Sequence, residues 1–311
     1  MKIVFMGTPD FAVPCLRALV KSGEEVKAVF TQPDKPKGRG YKMIPTPVKA
    51  AAQEYGIDVY QPVSLKKGDD AAACLELLKE LSPDLIVVVA YGKILPKEIL
   101  DIPQYGCINV HASLLPAYRG AAPIQWCILN GEKQTGVTTM YMEEGLDTGD
   151  MLISSTLQIG ENETSSELHD RLSELGGTVL ISTLEQLKNG TLTRTKQDDS
   201  KSCYASMITK DMSAIDFTKD AYTIHNVIRA ITGFSYIEGK RLKMFRSEMT
   251  DKTSALAPGT IADSENFMVV CGDGKMLRIT EMQAEGSKRM KAADFLRGNK
   301  IKNGMVLEIN N

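Results

Sequence analysis

The chain has 311 residues, 43% of them hydrophobic, which is enough for a sizeable packed core and sits more comfortably as two domains than as one. Its longest strongly apolar run, LIVVVA after Asp84, is far too short to span a bilayer, and its six cysteines form no Cys-x-x-Cys pair and follow no secretory leader; the expectation is a cytoplasmic protein with reduced thiols. The net charge of −2 excludes little but is uneven: 16 Lys and Arg face 13 Asp and Glu from Ser206 onward, and 21 face 26 before it, so a part suited to a polyanionic partner adjoins an acidic one.

In chain order, KIVFMG predicts a strand ending in Gly7, and TPDFAVPCLRALVKSG a helix with Ala12, Leu16 and Leu19 near helical spacing. EVKAVFTQ and DVYQP read as strands, and DDAAACLELLKELSP as a helix with Leu75, Leu78 and Leu81 on one stripe. DLIVVVAYG is apolar on both faces, as a central parallel strand is, and CINVH is the next strand. AAPIQWCILNG reads as a helix, GVTTMYM and MLISSTLQI as strands. TSSELHDRLSELGGTVLISTLEQLKNG reads as one long helix burying Leu168, Leu172, Leu175, Val179 and Leu187, with Gly176 and Gly177 either bending it or admitting a neighbouring backbone. This βαβ rhythm predicts an α/β fold, a Rossmann-like doubly wound, mostly parallel sheet over residues 1–190. The pattern then loosens into Thr, Lys, Asp and Ser, read as a linker over 191–205. Residues 206–311 hold one short helix, AYTIHNVIRAI, and short strands that include a hairpin at Gly272-Asp273-Gly274, which predicts a small C-terminal, OB-like β-barrel.

Three constellations stand out. Asn109, His111 and Ser113 share one face if CINVHAS is extended there, and they lie where open α/β sheets form their sites, at the carboxyl end of a strand. They are either a satisfied polar pair that helps a loop to turn or part of a site. The segment EEGLDTGDM places Asp147 and Asp150 among Gly145 and Gly149; a glycine-flanked Asp makes a turn, or swings a carboxylate over a site. The stretch from Pro33 to Lys49 carries four Lys and one Arg against a single Asp, with four prolines and two glycines. No helix or strand suits it, so it reads as an exposed basic loop overhanging the active edge of the sheet, either plain solvated charge or an arm that holds phosphates.

Other chemistries fare poorly. With three histidines and no His or Cys cluster, Asn, His and Asp would make a poor zinc cage, and no metal is expected. His169 and His225 read as hydrogen-bonding helix residues. No Gly-x-Ser-x-Gly, Walker A or Gly-x-Gly-x-x-Gly pattern is present, so the fold is expected to resemble a dinucleotide binder without its phosphate-gripping loop.

Asn109-x-His111, the Ser113-Leu-Leu-Pro116 that follows and Leu146-Asp147-x-Gly149 resemble the signature of the formyltransferases that use 10-formyltetrahydrofolate. FMGTPDFAVPCL, QPDKPKGRG, HASLLPAYRGAAPIQW and IHNVIRA extend the likeness across both parts of the chain, to the members of that family that act on tRNA. Two stretches depart from the pattern: KDMSAIDF, with Phe217 in place of Trp, and ITGFSYIEGKRLKMF, without its proline.

The resemblance implies transfer of a formyl group from 10-formyltetrahydrofolate to the α-amino group of methionine on initiator methionyl-tRNA by a chain expected to act as a monomer. Hydrolysis of formyltetrahydrofolate and formylation of a nucleotide sugar are the alternatives. It further implies Asn109, His111 and Asp147 as catalytic groups, with Asp150 the next carboxylate to consider, and folate contact across Ser113, Leu114, Leu115 and Pro116. Arg119-Gly120 would turn the chain into the next helix. Lys35, Lys37, Arg39 and Lys42 would meet the tRNA, with Arg39 between two glycines as the residue entering the site, and Arg241, Lys243 and Arg246 would form a second basic stripe.

Overall fold

The structure, a computed structural model, describes residues 1–37 and 42–308. It divides into two compact units: Met1–Gly120, Thr135–Leu157 and His169–Ala205 form the first, and Ala121–Gln134, Gln158–Leu168 and Ser206–Asn311 the second.

In the first unit β1 (Lys2–Gly7) leads through α1 (Val13–Lys21) to β2 (Glu25–Phe30). Then come β3 (Lys35–Lys37), β4 (Lys42–Ile44), α2 (Pro47–Glu54), β5 (Val59–Tyr60), α3 (Asp69–Leu81), β6 (Leu85–Val89), α4 (Lys97–Leu100), β7 (Cys107–His111) and β8 (Arg119–Gly120). The chain passes through α5 (Pro123–Leu129) and continues with β9 (Gln134–Tyr141), β10 (Met151–Gln158), the single long α6 (Ser165–Lys188) and β11 (Tyr204–Ala205).

The main sheet has the order β10-β9-β7-β6-β1-β2-β5. From β5 to β7 every neighbour is parallel, and β9 runs antiparallel to β7. The predicted doubly wound sheet is therefore present. Its strand order reverses between β1 and β6, which opens a crevice at the carboxyl ends of the strands. All five residues of β6 are buried, as an apolar run covered on both faces must be. Helix α6 runs unbroken through Gly176 and Gly177; a Cβ on Gly177 would lie 3.2 Å from the Pro14 carbonyl and one on Gly176 3.3 Å from Val110 Cγ1, so the glycines let α1 and β7 approach. The buried stripe of α6 runs through Leu168, Leu172, Val179, Leu180 and Leu184, and Leu175 and Leu187 are only half-buried.

Two expectations change. The stretch from Pro33 to Lys49, read as structureless, contains a hairpin in which Lys35–Lys37 pairs antiparallel with Lys42–Ile44. It also contains the start of α2, with Pro47 in its first turn and the Thr46 side chain accepting the Lys49 N–H at 3.1 Å. Arg39 lies outside the described residues, and of Lys37 and Lys42 only the backbone is described.

The stretch 191–205, read as a linker, is packed into the first unit. Thr195 bridges Met151, Gln197 is buried, and β11 pairs in parallel with β8. Most of its polar side chains are exposed, but Gln197 is buried and bonds to main chain, a use that composition does not reveal.

The second unit adds α7 (Ala221–Ile231), β12 (Gly233–Ile237), β13 (Lys240–Thr253), β14 (Ile261–Asp263), β15 (Met268–Val270), β16 (Lys275–Ala284), β17 (Met290–Lys291) and α8 (Ala292–Gly298). Its antiparallel sheet has the order β12-β13-β16-β15-β14, with β15 and β16 joined at the expected Gly-Asp-Gly turn. The segment from Met305 to Glu308 closes it into a barrel: Val306 bridges Thr260 beside β14, and Glu308 bridges Tyr236 on β12, the opposite edge. Phe217, the departure from the aromatic pattern, lies in the barrel core with Phe267, Leu277 and Phe295.

Residues 121–134 and 158–168 are excursions of the N-terminal part of the chain that pack in this unit. Trp126 Nε1 donates to Ser206 O at 2.8 Å, and Arg229 Nη1 donates to the Gly160 and Glu163 carbonyls at 3.1 Å each. Among the described residues no helix is long and apolar enough to cross a membrane.

Candidate active site

Residue alternation on β7 puts Asn109 and His111 on one face at its carboxyl end, and the loop after β9 brings Asp147 to them. His111 Nδ1 stands 3.7 Å from Asp147 Oδ2, with only 7% and 12% of the two side chains exposed. Asn109 Nδ2 donates to Asp147 Oδ1 at 3.5 Å, the long limit of a hydrogen bond. The three groups expected from two distant stretches are thus together, held loosely enough for a reacting group to enter among them.

The tripeptide Tyr118-Arg119-Gly120 orients them. The Tyr118 carbonyl lies 2.9 Å from His111 Nε2 and can only accept, so Nε2 carries the hydrogen and Nδ1 is the ring atom turned to the carboxylate. The Gly120 N–H donates to Asp147 Oδ2 at 2.8 Å. Gly120 has φ +116°, and a Cβ there would lie 2.7 Å from the Ala205 carbonyl. Cys203 holds the tripeptide in turn: its Sγ accepts the Tyr118 N–H at 3.1 Å and its carbonyl the Arg119 N–H at 3.0 Å. Arg119-Gly120 therefore does more than turn the chain.

Asp147 adopts a left-handed backbone, φ +53°, unusual for a residue with a side chain. Both hydrogens of the Gln197 amide donate across this turn, to the Asp147 and Gly149 carbonyls at 2.8 Å each. Gln197 Oε1 accepts from Arg119 Nε at 2.9 Å, and Arg119 Nη2 reaches Asp199 Oδ1 at 2.8 Å. The sequence reading missed Gln197 because nothing marks one Gln in a polar stretch.

Ser113 to Pro116 leave the strand beside this cluster. Ser113 is fully buried and its Oγ donates to the Ala117 carbonyl at 2.7 Å; Leu115 is 7% exposed and its N–H donates to Thr138 Oγ1. Leu114, against Gly136, and Pro116 are half-buried and are the members of the stretch with surface to offer a ligand. A cavity of about 650 Å³ lies nearer the amino end of β7, between Leu100, Tyr105 and Cys107 and the loop residues Met142, Glu143, Gly145 and Asp150; Asn109, His111, Asp147 and Ser113 to Pro116 do not line it. Burial pushes the Cys107 thiol up to about 12, so it supplies no thiolate near neutrality.

The basic residues separate. Lys49 Nζ is bound by Asp34 at 2.6 Å and Gln61 at 2.7 Å, which spends its charge within the fold. Lys35 lies on the exposed hairpin. In the barrel unit Arg246 pairs with Glu167 at 2.5 Å and Glu281 at 3.4 Å, which leaves Arg241 and Lys243 of the expected stripe, beside a cavity of about 260 Å³. His225 is buried in that unit, between Ser247 Oγ and the Glu161 carbonyl.

Residues 1–184 match the formyl transferase family model and residues 207–300 the model of the formyl transferase C-terminal domain. The chain is 50% identical over 99% of its length to proteins named methionyl-tRNA formyltransferase from Citrifermentans bemidjiense and Clostridium novyi, covering 96% and 100% of them. In fold it is similar to an N-formyltransferase from Helicobacter canadensis solved with folinic acid and dTDP-3-aminofucose, with a TM-score of 0.69 at 23% identity over 90% of this chain and 98% of that one.

Proposed function

The chain belongs to the formyl transferase family, and on that premise we propose that it transfers the formyl group of 10-formyltetrahydrofolate to the α-amino group of methionine on initiator methionyl-tRNA, giving N-formylmethionyl-tRNA. One observation carries the reading: Asn109, His111 and Asp147 converge at the carboxyl edge of the sheet in a chain half identical, end to end, to relatives named for that reaction.

The chemistry needs no covalent enzyme intermediate. The amine nitrogen attacks the formyl carbon, and negative charge develops on the formyl oxygen. Asn109 Nδ2–H and a protonated His111 Nδ1–H meet that charge, while the Tyr118 carbonyl keeps the ring in place through Nε2–H. The Asp147 carboxylate balances the imidazolium at 3.7 Å and takes the proton released by the amine, directly or through a water. The bond from the carbon to N10 breaks, and N10 recovers a proton from His111.

Ser113, Leu114, Leu115 and Pro116 border the folate, with Leu114 and Pro116 offering apolar surface and the backbone its polar edge. Lys35, Lys37, Arg39 and Lys42 meet the phosphates of the tRNA acceptor end, with Arg39, between two glycines in the sequence, entering the site.

The test offers formyl-labelled donor with water alone, with a nucleotide-linked amino sugar, and with charged initiator tRNA, followed by mass analysis of the aminoacyl group. Label on the methionine amine is expected. Label recovered as formate irrespective of tRNA, or on the amino sugar, overturns the reading in favour of a hydrolase or a sugar formyltransferase.

A further inference from the structure

Asp147 must hold its carboxylate against His111 from a left-handed backbone conformation that is unfavourable for a residue with a side chain. Something must hold that conformation and fix the direction of the side chain. Gly120 N–H holds the carboxylate itself. The backbone is gripped at two points by one group, the Gln197 amide, whose single nitrogen spans the carbonyls of Asp147 and Gly149. Gln197 is 6% exposed and cannot exchange these partners for water freely. Its remaining polar atom is taken by Arg119, whose side chain is 12% exposed and is anchored outside by Asp199. Arg119 is also the residue between Tyr118, which orients His111, and Gly120, which orients Asp147. One link thus ties the backbone of the carboxylate turn to the strand that aims both catalytic side chains.

We propose that Gln197, locked by Arg119, is a positioning residue for the reaction: it sets the Asp147 turn so that the carboxylate faces His111. The proposal rests on the reading of Asp147 as the catalytic carboxylate. It follows that the two N–H donors, rather than the bulk of the side chain, are what the site uses. Gln197→Glu keeps the shape and the acceptor for Arg119 but turns a carboxylate oxygen toward two carbonyls. A residue that merely packs would tolerate that change far better than truncation to Ala.

The experiment measures kcat, both KM values and the thermal midpoint for the full chain, for Gln197→Glu and Gln197→Ala, and for each combined with Asp147→Asn. Both single variants are expected to lose about 10- to 100-fold in kcat, with KM for folate and for charged tRNA within about threefold, as a displaced catalytic group predicts. In the Asp147→Asn background neither substitution should lower the residual turnover further, because the group it positions is already gone. Wild-type kcat in Gln197→Glu overturns the proposal, as does a full second loss on top of Asp147→Asn. A wild-type chain that fails to formylate methionyl-tRNA sinks the functional reading and the proposal with it; a competent wild type with an unimpaired Gln197→Glu sinks the proposal alone.

Discussion

Asp147 is surrounded by groups that orient it: an N–H on its carboxylate, an amide on its backbone and an imidazole opposite. Asp147→Asn keeps the shape and removes both the negative charge and the proton acceptor, so turnover should fall to a small residual rate while folate still binds, as measured by direct titration of the donor. Near-normal turnover in that variant would remove Asp147 from the chemistry. Asn109→Ala should cost about a hundred- to a thousand-fold in kcat, the usual loss of one oxyanion donor. Gly120 supports a third test. Its φ of +116° and the 2.7 Å approach of the Ala205 carbonyl leave no place for a Cβ. Gly120→Ala should lower stability by about 1–3 kcal/mol in urea titration and reduce kcat as well, since the displaced N–H is the one on Asp147. An alanine variant of normal stability and activity would mean that β8 can shift without consequence.

Elements decide the pH response. Helix α7 buries His225, whose Nε2–H donates to the Glu161 carbonyl, so Nδ1 accepts from the Ser247 hydroxyl. Burial holds its pKa below the ordinary 6.5, the Arg229 charge adds to this, and the Glu161 carbonyl and carboxylate oppose it. The folded state therefore binds fewer protons than the unfolded chain once pH drops below 6.5, and stability is lost as pH falls through that window. The urea midpoint of the barrel unit should decline from pH 6.5 downward, and His225→Gln, which cannot titrate, should flatten that decline even if its midpoint at neutral pH is lower. An unchanged slope in the variant would place the acid sensitivity elsewhere. The same scale explains the basic hairpin: Pro36 suits a short edge strand and Pro47 the first turn of α2, so a segment whose composition suggests open coil still folds at both ends.

Across the two units, charge is the property that bears on the tRNA. The overall charge is −2, so attraction to a polyanion must come from local clusters. Lys35 is on the exposed hairpin and Lys49 is neutralised by Asp34. Lys35→Ala should lower the slope of log affinity against log salt by about 0.7–0.9 in tRNA binding, the value of one phosphate contact, and Lys49→Ala should leave the slope unchanged. Equal slopes for wild type and Lys35→Ala would reduce that lysine to solvated charge. Much of this molecule could be read in the linear chain. The buried β6, the helix stripes, the Gly-Asp-Gly hairpin and the pair on β7 are all written by short-range periodicity and turn chemistry, whereas the choice of Asp147 over Asp150 as the partner of Asn109 and His111 came from the resemblance to the formyltransferases. Folding was needed to reveal Gln197 beneath Asp147, the tripeptide at 118–120 as the orienting strand, the packing of 191–205, the excursions of 121–134 and 158–168, and barrel closure by residues 305–308. Each of these depends on hydrogen bonds between residues tens of positions apart, and such partners leave no periodic trace in the stretches that supply them.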